Sequence, residues 1–407
     1  MFVRLARLLL WLLLTATTSA RPGEASLHGY LDCRWVAAPD AKSWTAGGLG
    51  KTRFGAGGTQ AMCAQGGLVG RWQITPSMVA VADLQYVTKG PNNASVLEAY
   101  LRYRPVSTTR WRTSLKVGEF FPPISLENTA IGWTSPWTLT PSAINSWVGE
   151  ELRGFGAEGQ LEWRTPHGSL TAVAAALRSN DPAGELLSAR GWSLSDLTAG
   201  WGTRVREPDV YAIGNHAAVP LRFNPFLEND ARLGWYAGGS WQASGSGTFS
   251  VLRYDNRADP SSHSSGVSPV FSWRTRFWSV GAQTDWRNLT VLAQAMSGST
   301  DVAPVPAFSS STPFRAAYVL LGYTFGRWRL AVRVDGFSTD QLPRSLDGRA
   351  REHGSAGTCA VNWKPVEWLR LTAEVVMVRS NRNQRIDAGD PPFEIDRQLQ
   401  LGARLYF

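Results

Sequence analysis

The chain has 407 residues, 43% of them hydrophobic and 18% charged, with a formal net charge of +9, a balance that excludes a disordered chain. Trp is far above ordinary usage at 19 residues, which suits membrane interfaces, where an indole keeps one side apolar and its N–H wet. No apolar run reaches the roughly 18 residues of a membrane-crossing helix, which leaves a soluble protein or a β-barrel.

Residues 1–20 read as a cleaved signal peptide: Arg4 and Arg7 are basic, Leu8 to Leu14 are apolar, and small residues lead to Ala20. Residues 21–407 form the expected barrel domain, its first strand beginning near Leu27. Of the three cysteines, Cys33 and Cys63 flank the first long loop. Pairing them is one reading, and leaving all three unpaired is the simpler one.

Period-two alternation marks the strands. Leu97, Ala99, Leu101 and Tyr103 alternate with Glu98, Tyr100, Arg102 and Arg104, and Trp111, Thr113, Leu115 and Val117 with Arg112, Ser114, Lys116 and Gly118. The pattern returns from Trp328 to Asp335, from Leu369 to Val376 and from Arg397 to Phe407, where Leu399, Leu401, Ala403, Leu405 and Phe407 share one face. Segments near Leu170, Leu252 and Val319 alternate poorly. Short turns are expected at Thr75-Pro76, 105–109, 165–167, 244–247, 287–288, 326–327 and 364–366. Long loops are expected at 38–65, 89–93, 119–151, 179–230, 257–274, 299–313, 338–355 and 380–395. This alternation of short and long connections predicts an all-β transmembrane antiparallel barrel of sixteen strands in an outer membrane, with both termini on the periplasmic side. A strand at Leu197 to Val205 with a partner near Tyr211 to Arg222 would make eighteen.

The stretch from Lys116 to Trp163 carries LKVGEFFPPISLEN and then WTSPWTLTPSAINSWVGEELRGFGAEGQLEW. It resembles the porin O and P family of phosphate-selective porin relatives, in which a strand ending Gly-x-Phe runs into Pro-Pro-[hydrophobic]-Ser-Leu-Glu. NDPAGELLSARGW (Asn180 to Trp192) and NPFLENDARLGWYAG (Asn224 to Gly238) look like the same branch. The resemblance implies sixteen strands, a homotrimer and loops folded into the pore. Loop 119–151 departs from it by containing no Lys or Arg, whereas phosphate-selective members carry basic residues on pore loops, so the substrate does not transfer.

The alternation points Arg34, Arg102, Arg104, Arg112, Lys116, Arg164, Arg329, Arg333, Arg370 and Arg404 inward, with Asp32, Asp83, Glu98, Glu158, Glu162, Asp285, Asp335 and Glu374. Base slightly exceeds acid, which predicts a passive, water-filled, mildly anion-preferring channel for small hydrophilic solutes, anions such as phosphate among them; cross-strand charge pairing explains the same residues without selectivity. The apolar content of loop 119–151 predicts that it folds inside and sets the narrowest point. The candidates are Pro122, Pro123, Glu127, Trp133, Trp137, Trp147, Glu150 and Glu151, with the glutamates meeting Arg112 and Arg153. Trp35, Trp111, Trp278, Trp286, Trp328 and Trp363 fall on outward faces, against outer-membrane lipid.

No cofactor, metal or nucleic-acid partner is expected. GGLGKT at Gly47 to Thr52 lacks the first glycine of a phosphate loop, G-x-S-x-G and H-E-x-x-H are absent, and the five His are scattered. The alternatives to a channel are a lipase- or protease-type barrel enzyme and a structural barrel plugged by the long loop 179–230.

Overall fold

The computed structural model describes residues 23–88, 93–210, 222–245, 247–266, 269–305, 308–343 and 348–407; the expected signal peptide, 1–20, lies outside the described residues. The alternating segments form one closed antiparallel barrel of sixteen strands. In chain order these are β1 (Ala25–Ala37), β2 (Thr59–Thr75), β3 (Met78–Val87), β4 (Ala94–Tyr103), β5 (Trp111–Phe120), β6 (Gly154–Thr165) and β7 (Gly168–Arg178). After an inserted pair come β10 (Gly234–Ala243), β11 (Gly247–Asp255), β12 (Arg274–Trp286), β13 (Leu289–Val305), β14 (Phe308–Phe325), β15 (Trp328–Thr339), β16 (Glu352–Val366), β17 (Leu369–Arg382) and β18 (Phe393–Tyr406). β1 closes the barrel by pairing with β18, with Trp35 opposite Leu401 and Asp32 opposite Arg404.

The inserted pair, β8 (Val205–Arg206) and β9 (Arg222–Phe223), bonds only to itself, so the eighteen-strand alternative does not hold in the wall. Most of the proposed partner strand, 211–221, lies outside the described residues.

Leu101, Val117, Leu321, Val334, Val375 and Leu401 stand exposed on the outer face. This apolar band suits lipid, because closure leaves no unpaired sheet edge within it. Toward the short-turn end Trp111 stacks on Trp163 and Trp328 on Trp363, with ring centroids 5.9 and 5.5 Å apart, a girdle of outward indoles. Cys33 and Cys63, opposite one another on β1 and β2, form a disulfide; the unpaired reading fails for them and holds for Cys359. Register explains this: strand pairing brings together two residues that the sequence separates by a loop.

Several boundaries differ from the sequence reading. Loop 299–313 is mostly strand, because its polar residues pair across the wall: Arg276 lies 3.2 Å from Asp301, and Ser311 bonds the same carboxylate. The last short turn falls at Glu367-Trp368 instead of 364–366, since the Lys364 N–H still donates to the Arg327 carbonyl. The first loop ends at 58, where Thr59 pairs with Ala37.

The interior explains the poor alternation near Leu170, Leu252 and Val319. Residues 121–153 enter the barrel, carrying helix α1 (Ala143–Glu151), whose N-cap Ser142 accepts from the Asn145 N–H. Residues 179–233 carry α2 (Glu185–Arg190), also buried. On β11–β14 the inward Leu252, Phe277, Leu292, Met296, Phe314 and Leu320 pack on these segments, so both faces of the wall are apolar there. Gly322 is required by this close approach: a Cβ there would collide with the Trp137 ring.

Candidate permeation path

The inserted segment 121–153 is tied down by the charged wall of β15–β18 and β1. Arg333 holds Glu127 at 2.7 Å and Asp335 at 2.8 Å, and donates to the carbonyls of Thr140 and Pro141 at 2.8 and 3.0 Å. Glu374 accepts from the Leu139 and Thr140 N–H groups at 2.5 and 3.0 Å, and Asp335 accepts from Ala143 N at 3.1 Å. Arg329, Arg370 and Arg404 donate to Pro136 O, Ser135 O and Thr134 Oγ1. Backbone that cannot pair with a strand is satisfied by wall side chains, which is what lets it lie inside.

Arg34, Arg333, Arg370 and Arg404 do face inward, but they are buried beneath this segment and do not line open space. Arg34 and Arg404 share Asp32, each at 2.6 Å. The loop glutamates also differ from expectation. Glu127 meets Arg333, Glu150 meets Arg190 and Ser193, and Glu151 accepts from Trp147 Nε1 at 2.6 Å and Leu186 N at 3.0 Å. Arg112 pairs within the wall, 3.8 Å from Glu162, and Arg153 donates to the Leu97 carbonyl at 3.1 Å. Pro122 is buried and Pro123 exposed, where the chain turns off β5. Trp133 stacks on Phe121 at 4.4 Å, Trp137 sits under the Arg329 guanidinium at 4.6 Å, and Trp147 meets Phe277, Phe314 and Trp192 edge-on.

At the long-loop end the second inserted segment is fixed by residues that the sequence reading missed. Arg382 donates to the carbonyls of Ser188 and Ala189, both at 2.8 Å. Lys51 Nζ donates to Arg190 O at 2.8 Å and pairs with Glu352. Burial pushes the Lys51 ammonium down to about 7, against the pull of Glu352. Asp196 lies 2.7 Å from Arg34 and 3.2 Å from Arg53. Carrying the even-numbered inward pattern of Arg370 and Glu374 along β17 would have found Arg382; nothing local marks Asp196.

The remaining predicted basic residues come together. Arg104, Arg112 and Arg164 surround Glu162 at the short-turn end of β4–β6, at 3.2, 3.8 and 3.9 Å from its carboxylate, and Arg102 adds its charge beside Arg104. Their side chains keep between 32% and 40% exposure for the three that pair. Lys116, 3.0 Å from Glu158, sits deeper and lies over the Phe120 ring. On the next strands around the wall Thr171, paired with Glu162, and then Ser240 and Ser250 are only half-buried. This is a polar vestibule with more base than acid, open where the inserted segments do not reach.

The closed wall, its apolar outer band and the inserted loop together define a transmembrane β-barrel of outer-membrane type. No protein-family model matches the chain, and no curated protein matches it. Solved structures do. The outer-membrane channel DcaP of Acinetobacter baumannii aligns over 97% of this chain and all of its own at 12% identity and TM-score 0.56. OmpT, an outer-membrane protein of Vibrio cholerae, aligns over 96% and 100% at 11% identity and TM-score 0.53. An anion-selective porin from Comamonas acidovorans aligns over 95% and 100% at 10% identity and TM-score 0.52. At these identities the likeness is one of fold.

Proposed function

We propose that the protein is an exported outer-membrane porin, a homotrimer that passes small hydrophilic solutes passively with a mild preference for anions such as phosphate. The observation that carries this reading is the vestibule of Arg104, Arg112 and Arg164 around one carboxylate, Glu162, inside a closed barrel. Guanidinium groups in a low-dielectric wall favour anions. The resemblance of 116–163 to the porin O and P family supports it, as do the channel and the anion-selective porin among the structural neighbours. The test is single-channel recording in a planar bilayer. A folded protein without conductance overturns the channel. Reversal potential in a salt gradient should favour anions and move toward cations in an Arg104→Gln, Arg112→Gln, Arg164→Gln variant; an unchanged potential overturns the assignment of selectivity. A native mass of one chain in mild detergent overturns the trimer.

A plugged structural barrel is the second reading. It is favoured by the buried packing of Trp147, Trp192, Phe277 and Phe314 across the lumen, and the same recording decides it.

A further inference from the structure

We infer that the outer wall of β13–β16, near the long-loop end, docks a phosphorylated glycolipid of the outer leaflet, with its phosphate at Arg315 and one acyl chain in the groove beneath. The surface faces lipid, so it stands whether or not the lumen conducts.

Two depressions on this face meet at Arg315 and Ser338, which line both. The upper one, about 580 Å³, is polar, with Asp340, Arg351, His353, Asn381 and Asn383 around it. The lower one, about 480 Å³, is apolar, with Trp278 and Val280 of β12 beside Ala295, Ala317 and Gly336.

Register builds both. Trp278, Ser297, Arg315, Ser338, His353 and Asn381 form one outward row across six neighbouring strands. Two residues nearer the short-turn end, Val280, Ala295, Ala317 and Gly336 form the next outward row. Three small residues side by side leave a trough among larger side chains. No other part of the chain fills it: a Cβ added at Gly336 would meet nothing within 4 Å.

Arg315 points to an anion. Below it the outward positions of β14 are Ala317, Val319, Leu321, Tyr323 and Phe325, so it is the first charge above an apolar run. It is exposed and makes no ion pair or hydrogen bond among the described residues. Its outward neighbours differ: Arg274 and Arg276 are held by Asp255 and Asp301, and Arg351 by Asp340 at 2.9 Å. With those three carboxylates already paired, the counter-charge for Arg315 comes from the membrane and not from a second copy of this wall. A bare guanidinium on a lipid-facing wall is unfavourable at the bilayer centre and tolerated near its edge, where anionic headgroups attract it. Its fork matches phosphate oxygens. Ser338, Asn381 and Asn383 add the donors and acceptors that sugar hydroxyls and amides need. In the trough an aliphatic chain gains contacts with Trp278 and Val280, and Arg253, over the Trp278 ring at 5.5 Å, sets a second cation at its edge.

The test is native mass spectrometry of the full protein in nonionic detergent, titrated with lipid A. Wild type should hold lipid A in preference to zwitterionic phosphatidylcholine. Arg315→Gln should weaken lipid A about fivefold, the worth of one basic residue near an anionic surface, and leave binding of the dephosphorylated lipid unchanged. Gly336→Leu fills the trough and should weaken both forms. Gly159→Leu, at an outward glycine of β6 with equally open space, is the matched control and should change neither. Arg315→Gln adds no bulk, so it decides the assignment where Gly336→Leu folds poorly. Unchanged lipid A affinity in Arg315→Gln, or in folded Gly336→Leu, overturns the site. A native oligomer that falls to one chain in Gly336→Leu gives the face to a second copy and overturns it as well.

Discussion

Arg333 on β15 and Glu127 of the inserted segment stand 2.7 Å apart, and neither side chain has any exposed surface. Each is costly to bury alone, and together with Asp335 and the Thr140 and Pro141 carbonyls they satisfy one another. Arg333→Leu therefore strands two carboxylates. Removing one partner of a buried pair costs about 3–5 kcal/mol, so the variant should lose its heat-modifiable form at lower temperature and expose 121–153 to protease. Wild-type stability and protection would show that the pair does not hold the segment.

The lipid face and the wet face should tolerate charge differently. Leu401 is 48% exposed on the outer band, where an arginine costs about 2–4 kcal/mol at the midplane. Leu401→Arg should cut the yield of folded barrel while Ser250→Arg, in the vestibule, folds normally. Sequence alone would offer Gln400→Arg as the tolerated partner. Gln400 is 1% exposed and bonded to Arg34, Glu374 and Thr140, so it should fail as well. Equal folding of all three would reverse the face assignment.

One thiol is free and two are joined. Alkylation of the denatured protein should add one label without reductant and three with it, counted by intact mass. Three labels without reductant would remove the disulfide.

Lys51 gives stability a pH dependence. Burial lowers its folded value to about 7, while the unfolded chain holds its proton toward 10.5. Between those values the unfolded state binds more protons, so unfolding free energy rises as pH increases from about 7 and is flat below it. Lys51→Met should remove that rise, as read from denaturation midpoints across the alkaline range. The same slope in both proteins would place the titration elsewhere.

The strand count and the inserted loop were legible, because lipid outside and polar groups inside impose strict alternation, and because a 33-residue loop rich in Ile, Leu and Trp needs a surface. Three things were not. Alternation says that Arg333 and Arg104 both face inward, but it cannot say that a loop some two hundred residues earlier covers one and leaves the other wet. It also fails on β11–β14, where Leu252 and Phe277 face an apolar segment and inside and outside look alike. The disulfide depends on register, which spacing does not fix.

The docking of Leu126 against Gly281, Trp137 against Gly322 and Leu139 against Gly402 bears on assembly. These sockets belong to β12, β14 and β18, which leave the ribosome long after the segment they receive. Until the last strand is in place the segment has indoles and aliphatic side chains but no complete seat, so closure of the cylinder and insertion of the segment must finish together. A chain shortened at its carboxyl end would then lose more than one stave. It would hold an unseated hydrophobic segment open to periplasmic chaperones and proteases, and quality control could recognise an unfinished barrel from its inside.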